Sequence, residues 1–117
     1  MPTPIQRLVT VGNVAANTSV ELLSAAANYF YLCAVSACNR GTTAASIKIW
    51  VKPSQAANNN DSSMSFYAYD VVLGPSDVWE SIRFSVNPGD ILYARATTSN
   101  VGFTVNGLDQ LYEMLNR

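Results

Sequence analysis

The sequence predicts an all-β protein built as a single antiparallel β-sandwich, and three observations lead to that fold class. Its 117 residues suit one domain with one hydrophobic core. Short segments in which side-chain character changes at every second residue, the period of a half-buried strand, recur along the chain. Turn-forming residues such as Gly, Pro, Asn and Asp separate these segments. Short strands spaced by turns are typical of sandwiches and barrels.

The first three predicted strands are Ile5–Val11, residues 19–24 and Tyr29–Asn39, with a polar turn at residues 13–18. The third strand is the longest apolar segment of the chain. Its aromatic start and its weak alternation farther along predict a central strand that is covered on both faces.

A hairpin is expected after this strand, because residues 39–42 read Asn-Arg-Gly-Thr, and Asn and Gly tolerate the positive φ of a tight reversal. The returning strand, Ala45–Lys52, alternates branched apolar residues with a second set of side chains on the other face. That second set is Lys48, Trp50 and Lys52. Trp50 is therefore expected to point outward between two lysines.

Pro53 ends this strand, since proline cannot donate to a sheet ladder. Residues 53–63 hold no apolar side chain larger than Ala and are predicted to form an exposed loop. The strand at residues 64–73 has two alternating faces, and the second is the better candidate for burial. The first face holds Phe66, Ala68 and Asp70, and the second holds Tyr67, Tyr69 and Val71.

Residues 74–77 are predicted to form a turn, and residues 78–86 show the cleanest alternation of the chain. We expect a single strand there, with Ile82, Phe84 and Val86 facing inward. Residues 87–90 read Asn-Pro-Gly-Asp, which suits a type II turn. Residues 91–97 and 101–105 then predict a final hairpin.

The pattern changes period near the C-terminus, where apolar residues fall at i, i+3, i+4 and i+7, a helical stripe. The stripe consists of Leu108, Leu111, Tyr112 and Leu115. Two helical turns are marginal alone, so this amphipathic tail requires a surface to pack on. The predicted organisation is an N-terminal arm (residues 1–7), the sandwich domain (residues 8–107) and the short C-terminal tail (residues 108–117).

The composition favours contact with other protein. Only 13% of residues are charged, whereas 49% are apolar, and a soluble domain usually carries about 25% charged residues. A surface with few charges packs against protein without desolvating ions, so a homo-oligomer or an assembly subunit is expected.

Other partners are disfavoured by charge and hydropathy. A net charge of −1 and scattered basic residues predict no binding to nucleic acid. No apolar run approaches the roughly 20 residues that span a bilayer, and the N-terminus lacks the basic start and apolar core of a signal peptide. We therefore expect no membrane partner and synthesis in a cytoplasm.

Side chains that commonly act in catalysis or metal binding are sparse, and the chain has no His. Cys33 and Cys38 lie about 16 Å apart if the strand is extended, which is beyond disulfide reach, so both are expected to be buried free thiols. Asp77 and Asp90 are better explained as turn residues than as an acid and base pair. The loop around Asp61 lacks the spaced carboxylates of a calcium loop. The sequence thus predicts no enzyme, no metal and no cofactor.

Aromatic side chains expected at the surface carry most of the functional content, because they supply contact area at low entropic cost. An interface role and packing within the sheet stay open for Trp50, with stacking on a sugar as a third alternative. The candidate interface residues are Trp50, Trp79, Leu108, Leu111, Tyr112 and Leu115.

Several turn motifs resemble those of small virion structural proteins of tailed bacteriophages, notably cyanophages and other marine phages. The motifs are Ala16-Asn17-Thr18, the run from Cys38-Asn39-Arg40-Gly41 through Thr42-Thr43-Ala44-Ala45, Pro88-Gly89-Asp90, and the closing segment from Asn100-Val101 to Gly107. The likeness covers most of residues 8–107. The chain departs from the family pattern in its amphipathic tail and in its asparagine-rich loop.

The resemblance implies a jelly-roll-like sandwich that sits on the capsid surface of a virion, often as a homotrimer. Its expected partner is the major capsid protein, and its expected function is that of a capsid cement or decoration subunit. A tail, baseplate or fibre-attachment component is an alternative within the virion. A carbohydrate-binding module that uses Trp50, Trp79 and the tyrosines is an alternative from another class. The N-terminal residues 1–6 and the tail are expected to act as docking arms between subunits.

Overall fold

The computed structural model describes residues 5–12, 15–25, 29–54 and 64–111, which form nine β-strands and, within these ranges, no helix. The strands are β1 (Ile5–Val11), β2 (Val20–Ser24), β3 (Tyr29–Asn39), β4 (Ala45–Lys52), β5 (Ser65–Leu73), β6 (Val78–Glu80), β7 (Phe84–Val86), β8 (Ile91–Ala96) and β9 (Val101–Leu111). Nothing in the described ranges is a helix able to cross a membrane. The all-β prediction is confirmed.

Two antiparallel sheets pack against each other. The five-stranded sheet has the order β1-β9-β3-β6, with β7 also paired to β3, and the four-stranded sheet has the order β2-β8-β4-β5. β1 pairs with β9, β2 with β8, β3 with β6 and β7, and β4 with β5. These pairs form one long ribbon whose successive pairs alternate between the sheets. This arrangement is that of a jelly roll.

Both predicted short hairpins are wrong. β3 pairs with β9, β6 and β7, whereas β4 pairs with β5 and β8 in the other sheet. β8 and β9 likewise lie in different sheets. A turn reverses the chain equally well within a sheet or between sheets. In both connections here the chain crosses from one sheet to the other, which lets each strand bury one face in the shared core.

The core lies between the sheets and receives side chains from both. Its largest fully buried apolar side chains are Tyr31, Val35, Ile47, Ile49, Val86, Leu92, Val101, Phe103 and Val105. Full burial of one such side chain stabilises the fold by about 1.5–3 kcal/mol. Both thiols are free, but only Cys33 is buried in this core, and Cys38 on the opposite face of β3 is half-buried. The prediction of two buried thiols therefore holds for Cys33 alone.

The second face predicted for β5 packs against the core at Tyr67 and Val71 but not at Tyr69, because the strand is bulged twice. The register against β4 skips Tyr67 and Asp70, and Asp70 has a φ of +53°. Each bulge adds one residue and exchanges the two faces beyond it. As a result Ala68 joins Tyr67 on the core side, whereas Tyr69 is exposed.

The expected single strand at residues 78–86 is interrupted. β6 and β7 both pair with β3, but residues 81–83 leave the ladder. Phe84 and Val86 are buried as predicted, whereas Ile82 is 75% exposed, so its inward assignment is wrong. The hydroxyl of Ser81 accepts a hydrogen bond from the N–H of Val35 at 2.8 Å, which replaces the missing ladder partner.

The turns predicted at residues 74–77 and 87–90 are confirmed, unlike the two predicted hairpin pairings. The Asp90 N–H donates to the Asn87 carbonyl at 3.0 Å, and Gly89 at the third position has a φ of +82°. Only Gly adopts that conformation without steric cost, as a type II turn requires. Asp77 Oδ2 accepts the N–H of Gly74 at 2.9 Å, which confirms its turn role. Residues 55–63 of the predicted loop, with Asp61, lie outside the described residues.

The helical prediction for the tail is wrong at residues 108–111, which belong to β9. Leu111 is the register partner of Tyr29, and Asp109 is the register partner of both Ile5 and Tyr31. Partners on both sides supply ladder hydrogen bonds that a two-turn helix could not match. The five-stranded sheet thus extends past residues 8–107 at both ends. Tyr112 and Leu115 lie outside the described residues.

Candidate interaction surface

The outward side of the five-stranded sheet is uncharged over its two longest strands. We call this surface the uncharged face. It consists of Phe30, Leu32, Ala34, Ser36 and Cys38 from β3, and Gly102, Thr104, Asn106 and Leu108 from β9. From Tyr31 to Asn39 the inward residues of β3 are all buried, whereas the five outward ones are half-buried. Tyr29, at the start of the strand, is 37% exposed. The central position predicted for β3 is confirmed, but this chain by itself fully covers only one of the strand's two faces.

Two adjoining depressions lie on the uncharged face. The first has a volume of about 370 Å³ and is lined by Leu32, Ala34, Arg83, Asn106, Gly107 and Leu108. The second has a volume of about 240 Å³ and shares Ala34 and Asn106 with the first. Arg83 borders the first depression and Glu80 borders the second. The face is therefore a shallow furrow with small side chains at its centre and one charge of each sign at its rim.

The outer side of the four-stranded sheet differs in charge. Lys48 Nζ lies 3.7 Å from Asp70 Oδ1 and 4.7 Å from the ring centroid of Tyr69. Arg95 is the register partner of Lys48 on β8. Contact with protein across this side would require several charges to lose water, which costs free energy. The uncharged face is the better candidate for a protein interface.

The structure corrects the prediction that Trp50 is exposed. Trp50 does lie on the outer side of its sheet, opposite the core residues of β4, yet it is only 4% exposed. Its ring stacks on Tyr93 with a centroid distance of 5.6 Å and meets Phe66 at 5.8 Å. These neighbours hold Trp50 within the sheet, as the packing alternative expected.

The other candidate interface residues do not meet in one site. Trp79 is half-buried and packs against the core from β6. Leu108 is 40% exposed on the uncharged face, next to the larger depression. Leu111 ends β9. Of Trp50, Trp79 and Leu108, whose side chains the structure describes, Leu108 lies on this face.

The buried thiol and the metal-ligating side chains of the described residues were the candidates for chemistry. Burial raises the pKa of the Cys33 thiol from 9.0 to about 12, so it stays protonated at neutral pH and is a poor nucleophile. Across the described ranges, the structure brings no three metal-ligating side chains of the His, Cys, Asp and Glu type together.

Sequence reasoning missed the residues at the centre of the uncharged face, Ala34, Ser36, Thr104 and Asn106. A signal was present, because the predicted strand Tyr29–Asn39 reads as apolar or uncharged at every position. What the sequence could not supply is the register that sets Ala34 opposite Asn106 and Ser36 opposite Thr104. Only that pairing turns two strands into one surface.

Comparison with known protein families, with curated proteins and with solved structures finds no match for this chain. The functional argument therefore rests on the geometry of the uncharged face and on the turn motifs described above.

Proposed function

We propose that this chain is a structural virion protein, a capsid cement or decoration subunit that binds and stabilises the head shell of a tailed bacteriophage. The observation that carries the proposal is the uncharged face, a partly uncovered sheet surface on a folded jelly roll. Such a surface is suited to permanent contact with protein. The jelly roll also occurs in viral capsid domains, although a fold alone does not assign a function.

The proposed mechanism is adhesion through many copies. Each subunit contributes a modest contact, and the symmetry of a shell repeats that contact over its whole surface. The low charge of the chain reduces the repulsion between neighbouring copies. Binding at junctions between capsid subunits would then resist the outward pressure of packaged DNA.

The test is to mix the purified protein with unexpanded and expanded capsids of the phage that encodes it, and then to sediment the shells. We expect the protein to sediment with expanded shells and to raise the temperature at which they release DNA. Protein that stays in the supernatant with both shell types would overturn the proposal.

The predicted docking arms, residues 1–6 and 108–117, overlap β1 and β9, so the proposal is narrowed to residues 1–4 and 112–117. Removal of residues 108–117 would cut into β9 and disturb the sheet. Removal of residues 112–117 alone spares every described strand. The shorter truncation should keep the circular dichroism spectrum of the intact protein and weaken shell binding; equal binding would refute a docking role for the tail.

The carbohydrate alternative loses Trp50 as a stacking platform but keeps Tyr69, which is 52% exposed. A sugar stacks on an exposed ring face, and Trp50 is covered by its neighbours. A tail or baseplate position differs from the head by copy number, which quantitative mass spectrometry of purified virions measures. Many copies per particle support the shell assignment, and a few copies would contradict it.

A further inference from the structure

The uncharged face is only partly buried within one chain, and the charges at its rim indicate which partner binds it. We propose that a second copy of this chain covers it, in a two-fold dimer whose five-stranded sheets pack back to back. The inference rests on the proposed function and assigns the uncharged face to contact between copies, so the dimer would bind the shell through other surfaces. It differs from the trimer that the phage resemblance implies.

The sheet around the face is large enough for a small specific interface. The eight residue steps from Phe30 to Cys38 span about 26 Å at about 3.3 Å per residue, and the three spacings of about 4.8 Å between β1, β9, β3 and β6 span about 14 Å. The flat area is therefore about 370 Å², and the relief of the side chains increases the area that a partner would bury. Standard interfaces bury about 800 Å² on each side, and weaker specific ones bury less.

The rim charges make the face complementary to itself. Glu80 is the register partner of Ser36, and Arg83 directly precedes Phe84, the partner of Cys33, so Arg83 lies near the level of Ala34. A two-fold axis that crosses the strands at the level of Val35 exchanges these two levels. Glu80 of each copy then faces Arg83 of the other, and both charges are matched twice.

The side chains follow the same symmetry. Ala34 and Ser36 exchange places across the axis, and their small size allows the sheets to approach to the usual separation of about 10 Å. Leu32 meets the level of Cys38 of the second copy, so the larger side chain lies against the smaller one. The two Cys38 residues end about 20 Å apart along the strands, and no disulfide between copies is expected.

The two-fold arrangement also explains why one face suffices. A two-fold interface uses the same patch on both subunits, whereas a ring of three requires two different patches that fit each other. Outside this face, the outer side of the four-stranded sheet carries Lys48, Asp70 and Arg95. Among the described residues, these charges separate that side from the uncharged face in character.

The first test measures mass in solution over a dilution series by light scattering and sedimentation. We expect twice the 12.6 kDa of one chain. Ala34→Arg, at the centre of the face, should give a monomer with an unchanged circular dichroism spectrum. Val72→Arg is the matched control, because Val72 is 66% exposed on the other sheet, and it should remain a dimer. A wild-type monomer, a trimer, or an Ala34→Arg dimer would overturn the proposal.

The second test changes the charges at the rim, Glu80 and Arg83, and leaves the small side chains at the centre of the face unaltered. Glu80→Arg and Arg83→Glu each place like charges opposite each other twice, and each should raise the dimer Kd by about tenfold or more. An equimolar mixture of the two variants should form a heterodimer near the wild-type affinity, because one face is then basic and the other acidic. Two variants that fail to combine would exclude this two-fold geometry.

Binding to capsid shells is measured by sedimentation, and the oligomeric state is measured separately from the mass in solution. A dimer that ignores capsids would support this inference and refute the proposed function, whereas a monomer that binds capsids would do the reverse.

Discussion

Asn39 joins two turns of the molecule through one side chain that is 0% exposed. Its Nδ2 donates to the carbonyls of Thr43 at 2.9 Å and Leu73 at 3.0 Å. Its Oδ1 accepts the N–H of Gly41 at 2.9 Å. The sequence identified Asn39 as a turn residue, but its second contact, to the end of β5, links residues 34 positions apart and has no local signal.

We predict that Asn39→Ala lowers the free energy of unfolding by about 2–4 kcal/mol, because the buried carbonyl of Leu73, the part-buried carbonyl of Thr43 and the Gly41 N–H lose their partners. Urea denaturation followed by circular dichroism measures this change. The control is Asn100→Ala, an exposed position where we expect a change within about 0.5 kcal/mol. Equal midpoints for the two variants would show that the Asn39 side chain does not hold the turns.

The buried thiol of Cys33 should make the free energy of unfolding depend on pH. Burial raises its pKa from 9.0 to about 12 in the folded chain, so the unfolded chain loses the thiol proton first. Between these values the unfolded state binds fewer protons, and stability falls by about 1.4 kcal/mol per pH unit as the pH rises.

The measurement is urea unfolding at pH values from 8 upward, compared with Cys33→Ala. The alanine variant should be less stable at pH 8 and should lack the thiol's share of the alkaline loss. In the monomeric Ala34→Arg variant at pH 8, a thiol reagent should modify the half-buried Cys38 and spare Cys33. Rapid modification of both thiols would contradict the burial of Cys33.

At the scale of elements, alternation located the strands but misassigned faces wherever the ladder is irregular. In β5 the bulges at Tyr67 and Asp70 exchange the faces twice within four residues. A positive φ at Asp70 is rare for a residue with a side chain, and the surrounding structure imposes it. Periodicity in a single sequence carries no mark of such insertions, and this explains the errors at Ala68 and Tyr69.

The break between β6 and β7 yields a prediction about Ser81. Its hydroxyl accepts from the N–H of Val35 and donates to the carbonyl of Ile82 at 2.7 Å. Ser81→Ala should therefore destabilise the chain by about 1 kcal/mol, because the Val35 N–H loses its acceptor.

Hydrogen exchange gives a local reading of the same change. The Val35 amide should exchange faster in Ser81→Ala, whereas Ser85→Ala, at an exposed position of β7, should leave both stability and exchange unchanged. Unaltered protection at Val35 would show that the backbone of Ser81, which donates to the Val35 carbonyl at 2.9 Å, suffices to hold the strand edge.

At the scale of the molecule, the sequence predicted the fold class but not the pairing. Alternating segments such as Phe84–Val86 are recognisable alone, whereas the pairing of β1 with β9 joins the two ends of the described chain. The uncharged face forms because β3 pairs with β9, so the sequence alone could not predict it either. The sequence indicated Leu108 as an interface residue because it belongs to a helical stripe. In the structure Leu108 lies on the uncharged face, but as part of strand β9.

The shared core predicts that the two sheets unfold together. Trp50 reports on the four-stranded sheet and Trp79 on the five-stranded sheet, where it packs against the core. Trp50→Phe and Trp79→Phe each leave a single tryptophan as the local probe. Within either variant, the midpoint from fluorescence should equal the midpoint from far-UV circular dichroism, because neither sheet keeps its buried face without the other.

Refolding of the same two variants should be slow, on a timescale of about milliseconds to seconds, because most ladders join distant parts of the chain. Both tryptophan signals should recover in a single common phase. A fluorescence midpoint that departs from the circular dichroism midpoint in one variant would mean that its sheet melts separately. The jelly roll would then consist of two units with separate stabilities, and the uncharged face would be free to form or open with the five-stranded sheet alone.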